Sequence, residues 1–243
     1  MNTPNEPESL SQSLLTSAAN DYTAGSLIEF GESLLDDATD SVLKSDIATK
    51  VPVVSILVAI GKGILNFRDR RYASKLVNFL AVTSKASPED KEKYRNKLDA
   101  SPDECKKAGE TLLDILEKLT SIEKAIMVGK VFRAFMHDDA MTTNHVITLS
   151  EMIEKAYLSD LVELSKVQTG IGQWDDTHLE SVGIKKPMRV EDVNKAINAA
   201  MARMLKQMPV LREGPINDTE EPQVIESGFT EMGDMLIRIL RTY

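Results

Sequence analysis

The side chains of this chain best suited to hold a metal ion lie in one short polar stretch, HDDAMTTNH. It contains His137, Asp138, Asp139 and His145, between two predicted helices. A calcium loop starting at Asp139 would need an oxygen ligand where Met141 stands, so essential ligands are missing. A zinc site built on the two histidines would need nearby thiolates or further imidazoles. We therefore expect a polar turn with a helix cap here, and no metal or other cofactor.

Nucleophilic catalysis has one sulfur candidate. Cys105 is the single cysteine of the chain, and the neighbouring Lys106 and Lys107 could lower the pKa of its thiol. Its place on the apolar stripe of a helix instead predicts a buried structural thiol. No Gly-x-Ser-x-Gly elbow accompanies the histidines, and Gly61-Lys62-Gly63 lacks the spacing of a phosphate-binding loop. The sequence thus predicts no catalytic residues and no enzymatic activity.

The segment Val51–Phe67 is the most apolar stretch, and the basic run Arg68-Asp69-Arg70-Arg71 follows it directly. As a helix it would span about 25 Å, which is short of the ~30 Å hydrocarbon core of a bilayer. Lys62 makes a lipid-exposed span costly. We favour a buried core helix. A membrane-surface hairpin stays open as an alternative, with the apolar run in lipid and the arginines on phosphate groups.

Charge is segregated along the chain, which has an isoelectric point near 5.0. Residues 1–43 contain eight acids and no Lys or Arg, whereas residues 44–97 contain twelve bases and five acids. The acidic leader either packs against the basic segment or leaves it free for an anionic partner, and we favour the first. In this hypothesis the leader shields segment 51–80 until a partner displaces it.

The predicted partner-binding residues combine isoleucines of the apolar run with the cations around its end. They are Ile56, Ile60, Lys62, Ile64, Arg68, Arg70, Arg71 and Lys75. A protein partner or self-association is expected, a membrane surface is possible, and nucleic acid fits the acidic composition poorly.

Few aromatic residues and many Leu, Ala, Lys and Glu favour helix over sheet. The predicted fold class is mostly α, an antiparallel multi-helix bundle. Ser87, Ser101 and Ser121 each precede a helix pattern, as N-caps do. We expect one helix from Val146 to Leu164, and a methionine stripe in 190–208 that forms core or interface.

The predicted domain organisation has three parts. They are a disordered acidic leader (1–25), a helical bundle domain (26–166) and a C-terminal helical region packed on the bundle (167–243). The single cysteine favours a reducing compartment. No basic residue precedes Lys44, so the positive start of a secretory signal is missing and a cytoplasmic location is expected. The lipid hypothesis would make it membrane-peripheral.

Residues 44–80 resemble a recurring opening in a broad group of uncharacterised bacterial helical proteins. In that group a Pro-led apolar helix with Ile-Gly-Lys precedes Asn-x-Arg-Asp-Arg and then Lys-Leu-x-x-Phe-Leu. Here these motifs start at Pro52, Ile60, Asn66 and Lys75. The resemblance implies a helical fold to about residue 165 and a link to phage-defence or mobile-element loci. It carries over no catalytic residues.

The C-terminal part is similar to winged-helix modules at residues 178–184 (HLESVGI) and 228–236 (GFTEMGDML). The similarity implies a reduced winged-helix-like unit. Pro187 and the long predicted helix at 190–208 depart from that pattern.

The function that these patterns favour is non-catalytic. We expect a helical protein that acts through protein–protein contacts, as a component of a phage-defence or toxin-control assembly. The alternatives are a membrane-surface effector using segment 51–80 and a DNA-binding regulator using residues 178–243.

Overall fold

The computed structural model describes residues 10–36, 45–55, 66–166, 174–187 and 228–243. The regular elements in these ranges are α-helices, and the strand-like pairing is an isolated antiparallel bridge between Lys185 and Phe229. The helices are α1 (Leu10–Ala18), α2 (Ala24–Asp36), α3 (Asp46–Lys50), α4 (Phe67–Thr83), α5 (Pro88–Ala100), α6 (Pro102–Lys118), α7 (Ile122–His137), α8 (Thr143–Lys155), α9 (Leu158–Lys166), α10 (Asp176–Ser181) and α11 (Glu231–Thr242). The predicted all-α multi-helix bundle is confirmed.

Helix α4 lies at the centre of the bundle. It packs against α2 on one side and α7 on another, with α6 and α1 also in contact. Every residue from Ala73 to Thr83 is buried, so this part of the helix is enclosed all round. Val51, Val53 and Val54, at the start of the apolar run, are also buried in the core. The rest of the predicted core helix, residues 56–65, lies outside the described residues.

Glycines let the helices around α4 cross at short range. A Cβ on Gly31 of α2 would meet the Asn78 side chain at 2.9 Å, and one on Gly129 of α7 would meet Val82 Cβ at 2.9 Å. A Cβ on Gly109 of α6 would meet Leu15 Cδ1 on α1 at 2.9 Å. A larger residue at any of these three positions would require its neighbours to shift, so the three helix pairs are closely packed there.

Basic side chains cap the C-terminal ends of neighbouring helices. Such ends carry carbonyl groups without intrahelical partners and a partial negative charge. The contacts are Lys91 Nζ to Ser84 O (2.9 Å), Arg95 Nη2 to Ala19 O (2.6 Å), Lys124 Nζ to Glu154 O (2.7 Å), Lys130 Nζ to Leu240 O (2.9 Å) and Arg241 Nη2 to Leu164 O (3.1 Å). Much of the basic character of this acidic protein is thus used to join its own helices.

The expectation of a disordered leader is wrong for residues 10–25. Helix α1 buries Leu14, Leu15 and Ala18 and packs against α6. The polar composition was misleading because serines are small enough to be buried at the contact, as Ser13 and Ser17 are. The nine residues of α1, mostly serine and leucine, therefore form a packed helix although their sequence is typical of a frayed terminus.

Two local predictions are also corrected. The single helix expected at 146–164 is interrupted, because α8 ends at Lys155 and α9 begins at Leu158. Ser101 precedes α6 without making a side-chain cap hydrogen bond. Ser87 and Ser121 do cap α5 and α7, and those predictions are confirmed.

The C-terminal helix α11 packs against α7, α8 and α9. Residues 188–227, which include the methionine stripe and most of the winged-helix-like unit, lie outside the described residues. Within the part of the chain that the structure describes, no helix has the length and apolar character needed to cross a membrane.

Candidate functional site

The first residue of helix α4 is an exposed aromatic residue, Phe67. Asn66 caps the helix by accepting a hydrogen bond from the backbone N–H of Asp69 at 3.0 Å, which fixes the chain direction at this point. The next residue, Phe67, is 62% exposed, the largest value among the described large hydrophobic residues. Burying a phenylalanine is worth about 1.5–3 kcal/mol, and the fold leaves that free energy unused here.

Two exposed arginines, Arg68 and Arg71, follow Phe67 on α4. The guanidinium of Arg71 lies 5.8 Å from the centre of the Phe67 ring and donates to Thr120 O at 3.2 Å. Arg68 forms a salt bridge with Glu117, yet its side chain stays 81% exposed. We call the surface formed by Phe67, Arg68 and Arg71 the collar surface. It combines an apolar ring with two positive charges at the outside of the bundle.

Lys75, one turn further along α4, has a different environment. It is 8% exposed, and its Nζ donates to Glu117 O at 2.6 Å and to Leu119 O at 3.0 Å. Burial lowers the pKa of the Lys75 ammonium, and the neighbouring Arg71 lowers it further. Lys75 is therefore a structural cap on the C-terminal end of α6, positioned beneath the collar surface.

The other predicted partner-binding residues are placed as follows. Arg70 is partly buried, and its Nε has no hydrogen-bond partner among the described residues. Ile56, Ile60, Lys62 and Ile64 lie outside the described residues. The structure thus brings Arg68, Arg71 and Lys75 together around the end of α6.

The acidic leader and the basic segment are in contact within the described residues. The buried Lys91 donates from Nζ to Asp21 Oδ1 at 2.7 Å. This hydrogen bond and the lysine charge lower the pKa of Asp21. Helix α2 packs on α4 through buried apolar side chains such as Leu27 and Leu34, while its residue Glu32 faces solvent. The described leader is therefore part of the core, and it leaves Phe67 exposed.

The polar stretch 137–145 is a turn with a helix cap, as predicted. Thr142 caps α8, and His145 Nδ1 accepts from the Thr142 N–H at 3.2 Å to complete the cap. His137 Nδ1 lies 3.2 Å from both carboxylate oxygens of Asp90, and Asp139 Oδ1 lies 3.4 Å from Lys97 Nζ. In the described ranges, no three His, Cys, Asp or Glu side chains are grouped as metal ligands.

A cavity that no sequence pattern indicated lies between the α5–α6 and α7–α8 junctions. Its volume is about 530 Å³, within the usual range for small-molecule sites. Its apolar interior is formed by side chains such as Leu112, Phe132, Phe135 and Val146. The lining residues come from five helices, α1, α5, α6, α7 and α8, so no local sequence pattern could have revealed the cavity.

Cys105 lines this cavity and is only partly buried, so the predicted buried thiol is incorrect. Cys105 lies near the start of α6, where the helix lines the cavity and leaves this residue partly exposed. Cys105 Sγ lies 3.9 Å from Lys97 O.

Tyr94 is a buried residue that lines the cavity. Its side chain is 2% exposed and makes edge-on contacts with Phe132 and Phe135, at ring distances of 5.3 and 6.1 Å. Burial raises the pKa of the Tyr94 hydroxyl well above its ordinary value, so the group stays protonated. This hydroxyl is sealed from solvent and has no hydrogen-bond partner among the described residues.

Comparisons with protein-family models, curated proteins and solved structures give no match to this chain.

Proposed function

We propose that the protein is a non-catalytic binding protein that contacts another protein through the collar surface. The observation that carries the proposal is the exposure of Phe67 together with that of Arg68 and Arg71 on the same helix. Aromatic residues and arginine are enriched at protein interfaces, where a buried ring supplies affinity and the guanidinium groups supply directed hydrogen bonds.

The leader requires no displacement in this proposal. Removing α2 from α4 would expose Leu27, Phe30 and Leu34, each worth about 1.5–3 kcal/mol of burial. Phe67 is accessible while α2 stays in place. A partner can therefore bind the folded protein directly, which replaces the shielding hypothesis.

Assignment to a phage-defence or toxin-control assembly is the finer part of the proposal. Its support is the resemblance of residues 44–80 to bacterial helical proteins linked to such loci. The identity of the bound protein tests this part separately from the binding surface.

The test places a photo-crosslinking amino acid, p-benzoylphenylalanine, at position 67 of the full chain in its native cells. The matched control places it at position 157, where Tyr157 is a similarly exposed aromatic residue (53%) far from the collar surface in sequence. We expect a discrete crosslinked protein from position 67 and none from position 157. A product of twice the chain's mass would identify a second copy as the partner.

Charge reversal supplies the second arm. Arg68→Glu with Arg71→Glu in the crosslinking background should abolish the product without unfolding the protein, because both side chains lie at the surface. Equal products from positions 67 and 157 would refute the proposal. Sedimentation with anionic vesicles that depends on the same two arginines would favour the membrane alternative instead.

A further inference from the structure

The cavity between the α5–α6 and α7–α8 junctions has a consistent chemical character. Its interior is apolar, and the charged side chains among its lining residues are Lys97 and Lys107. Among the described residues, no Asp or Glu lines it. An apolar volume with cations at its rim is complementary to an amphiphile with a negative head group.

Polar residues also line the cavity, and they could surround the negative head group of such an amphiphile. Ser101 stands at the N-terminal end of α6 without capping it, and Thr142 and Asn144 stand at the N-terminal end of α8. Helix N-termini favour negative charge. Lys107 is exposed and has no ion pair among the described residues, whereas Lys97 is already shared with Asp139. Lys107 is therefore the cation best placed to meet a ligand.

We propose that this cavity binds a single-chain carboxylate, a free fatty acid, with its acyl chain against Phe132 and Phe135 and its head group beside Lys107. This site is separate from the collar surface, and the inference does not depend on the proposed function.

Cys105 provides a direct reporter of occupancy because it is the one cysteine of the chain and lines the cavity. The rate at which a thiol reagent modifies Cys105 in the full-length protein is measured against increasing decanoate, below the concentration at which decanoate forms micelles. We expect saturable slowing by decanoate, and weaker slowing by decanol and by decylammonium, which lack the negative charge.

Two lysines adjacent in sequence give a matched pair of variants. Lys107 lines the cavity, whereas Lys106 is also exposed on the same helix but is not among the lining residues. Lys107→Glu should weaken decanoate binding about two- to fivefold, as expected for the loss of one exposed ion pair. Lys106→Glu should leave it unchanged. Both positions are at the surface, so both variants are expected to fold.

Each outcome decides the proposal. Shielding of Cys105 by decanoate that is sensitive to Lys107→Glu alone supports it. Equal shielding by decanoate and decanol, or equal effects of the two lysine variants, would overturn the assignment of a negative head group. No shielding by any of the three probes would overturn the site itself.

Discussion

The substitution Tyr94→Phe removes a hydroxyl group that the fold buries without a hydrogen-bond partner among the described residues. A buried, unpaired hydroxyl costs about 1–3 kcal/mol relative to its hydrated state in the unfolded chain. The ring contacts with Phe132 and Phe135 do not involve the hydroxyl and should persist.

The substitution also leaves a small void. A space of one oxygen atom, roughly 10 Å³, costs about 0.2 kcal/mol at about 24 cal/mol per Å³. The net expectation is that Tyr94→Phe raises the free energy of unfolding by about 1–2 kcal/mol. For a chain of this size the melting temperature should then rise by about 2–8 °C.

The assay is urea unfolding followed by circular dichroism, with Tyr72→Phe as the matched control. The Tyr72 hydroxyl does have a partner, because it donates to Leu113 O at 3.4 Å. Removing this long hydrogen bond should lower stability by about 0.5–1 kcal/mol. The two substitutions delete the same group and are expected to act in opposite directions. If Tyr94→Phe destabilised the protein as much as Tyr72→Phe, the hydroxyl would have a partner in solution and the reasoning would be refuted.

Alkaline pH gives a second readout for the same two tyrosines. Burial raises the pKa of both hydroxyls above the ordinary value of 10.0, so they stay protonated in the folded state after the unfolded chain has begun to ionise. Folding stability must therefore fall as the pH rises above about 10. Tyr94→Phe removes one of these groups and should make the fall less steep, as measured by urea unfolding at several alkaline pH values.

Three further predictions concern other parts of the fold, and each is measured by urea unfolding. Lys75→Met should lower the free energy of unfolding by about 1.5–3 kcal/mol because two carbonyl groups lose a charged donor. Arg68→Ala should lower it by less than about 1 kcal/mol because its salt bridge is exposed. Equal losses would contradict a structural role for Lys75 alone. Gly233→Ala should lower stability by about 1–3 kcal/mol because its Cβ would collide with the Ile184 carbonyl, while Gly25→Ala, with nothing within 4 Å of the new Cβ, should raise it by about 0.5–1 kcal/mol. The pKa of Asp21 is lowered in the folded state, so the ionised Asp21 carboxylate stabilises the fold above pH 3.8 and this stabilisation is lost as the pH falls. Asp21→Asn should therefore lower stability at neutral pH but not in acid. A loss of stability that is constant with pH would exclude a stabilising ion pair between Asp21 and Lys91.

Prediction from sequence succeeded where the signal was local. The helix starts at Ser87 and Ser121 follow from the hydrogen bond that a serine hydroxyl can accept from the chain three residues later. The same reasoning was incomplete at Ser101, where the residue type is right but the side chain makes no cap hydrogen bond. An N-cap hydrogen bond requires a particular rotamer of the serine side chain, and that rotamer depends on the residues packed around it.

The candidate site divides in the same way. The positions of Arg68 and Arg71 beside an apolar residue were visible in the sequence, but the separation of an exposed collar surface from the buried Lys75 was not. That separation depends on where α6 ends. Lys75 donates hydrogen bonds to the carbonyl groups at the end of α6 and is buried there, whereas Arg68 and Arg71 stay exposed.

By itself the sequence determined the helical class of this protein and several of its helix boundaries, because propensity and capping act over a few neighbouring residues. Only the tertiary structure decided that the serine-rich α1 is packed, that cations join helix ends, and that five helices line a cavity. Each of these features needs groups far apart in the chain to meet. Their meeting depends on which surfaces pack to bury apolar area, and no single segment contains that information.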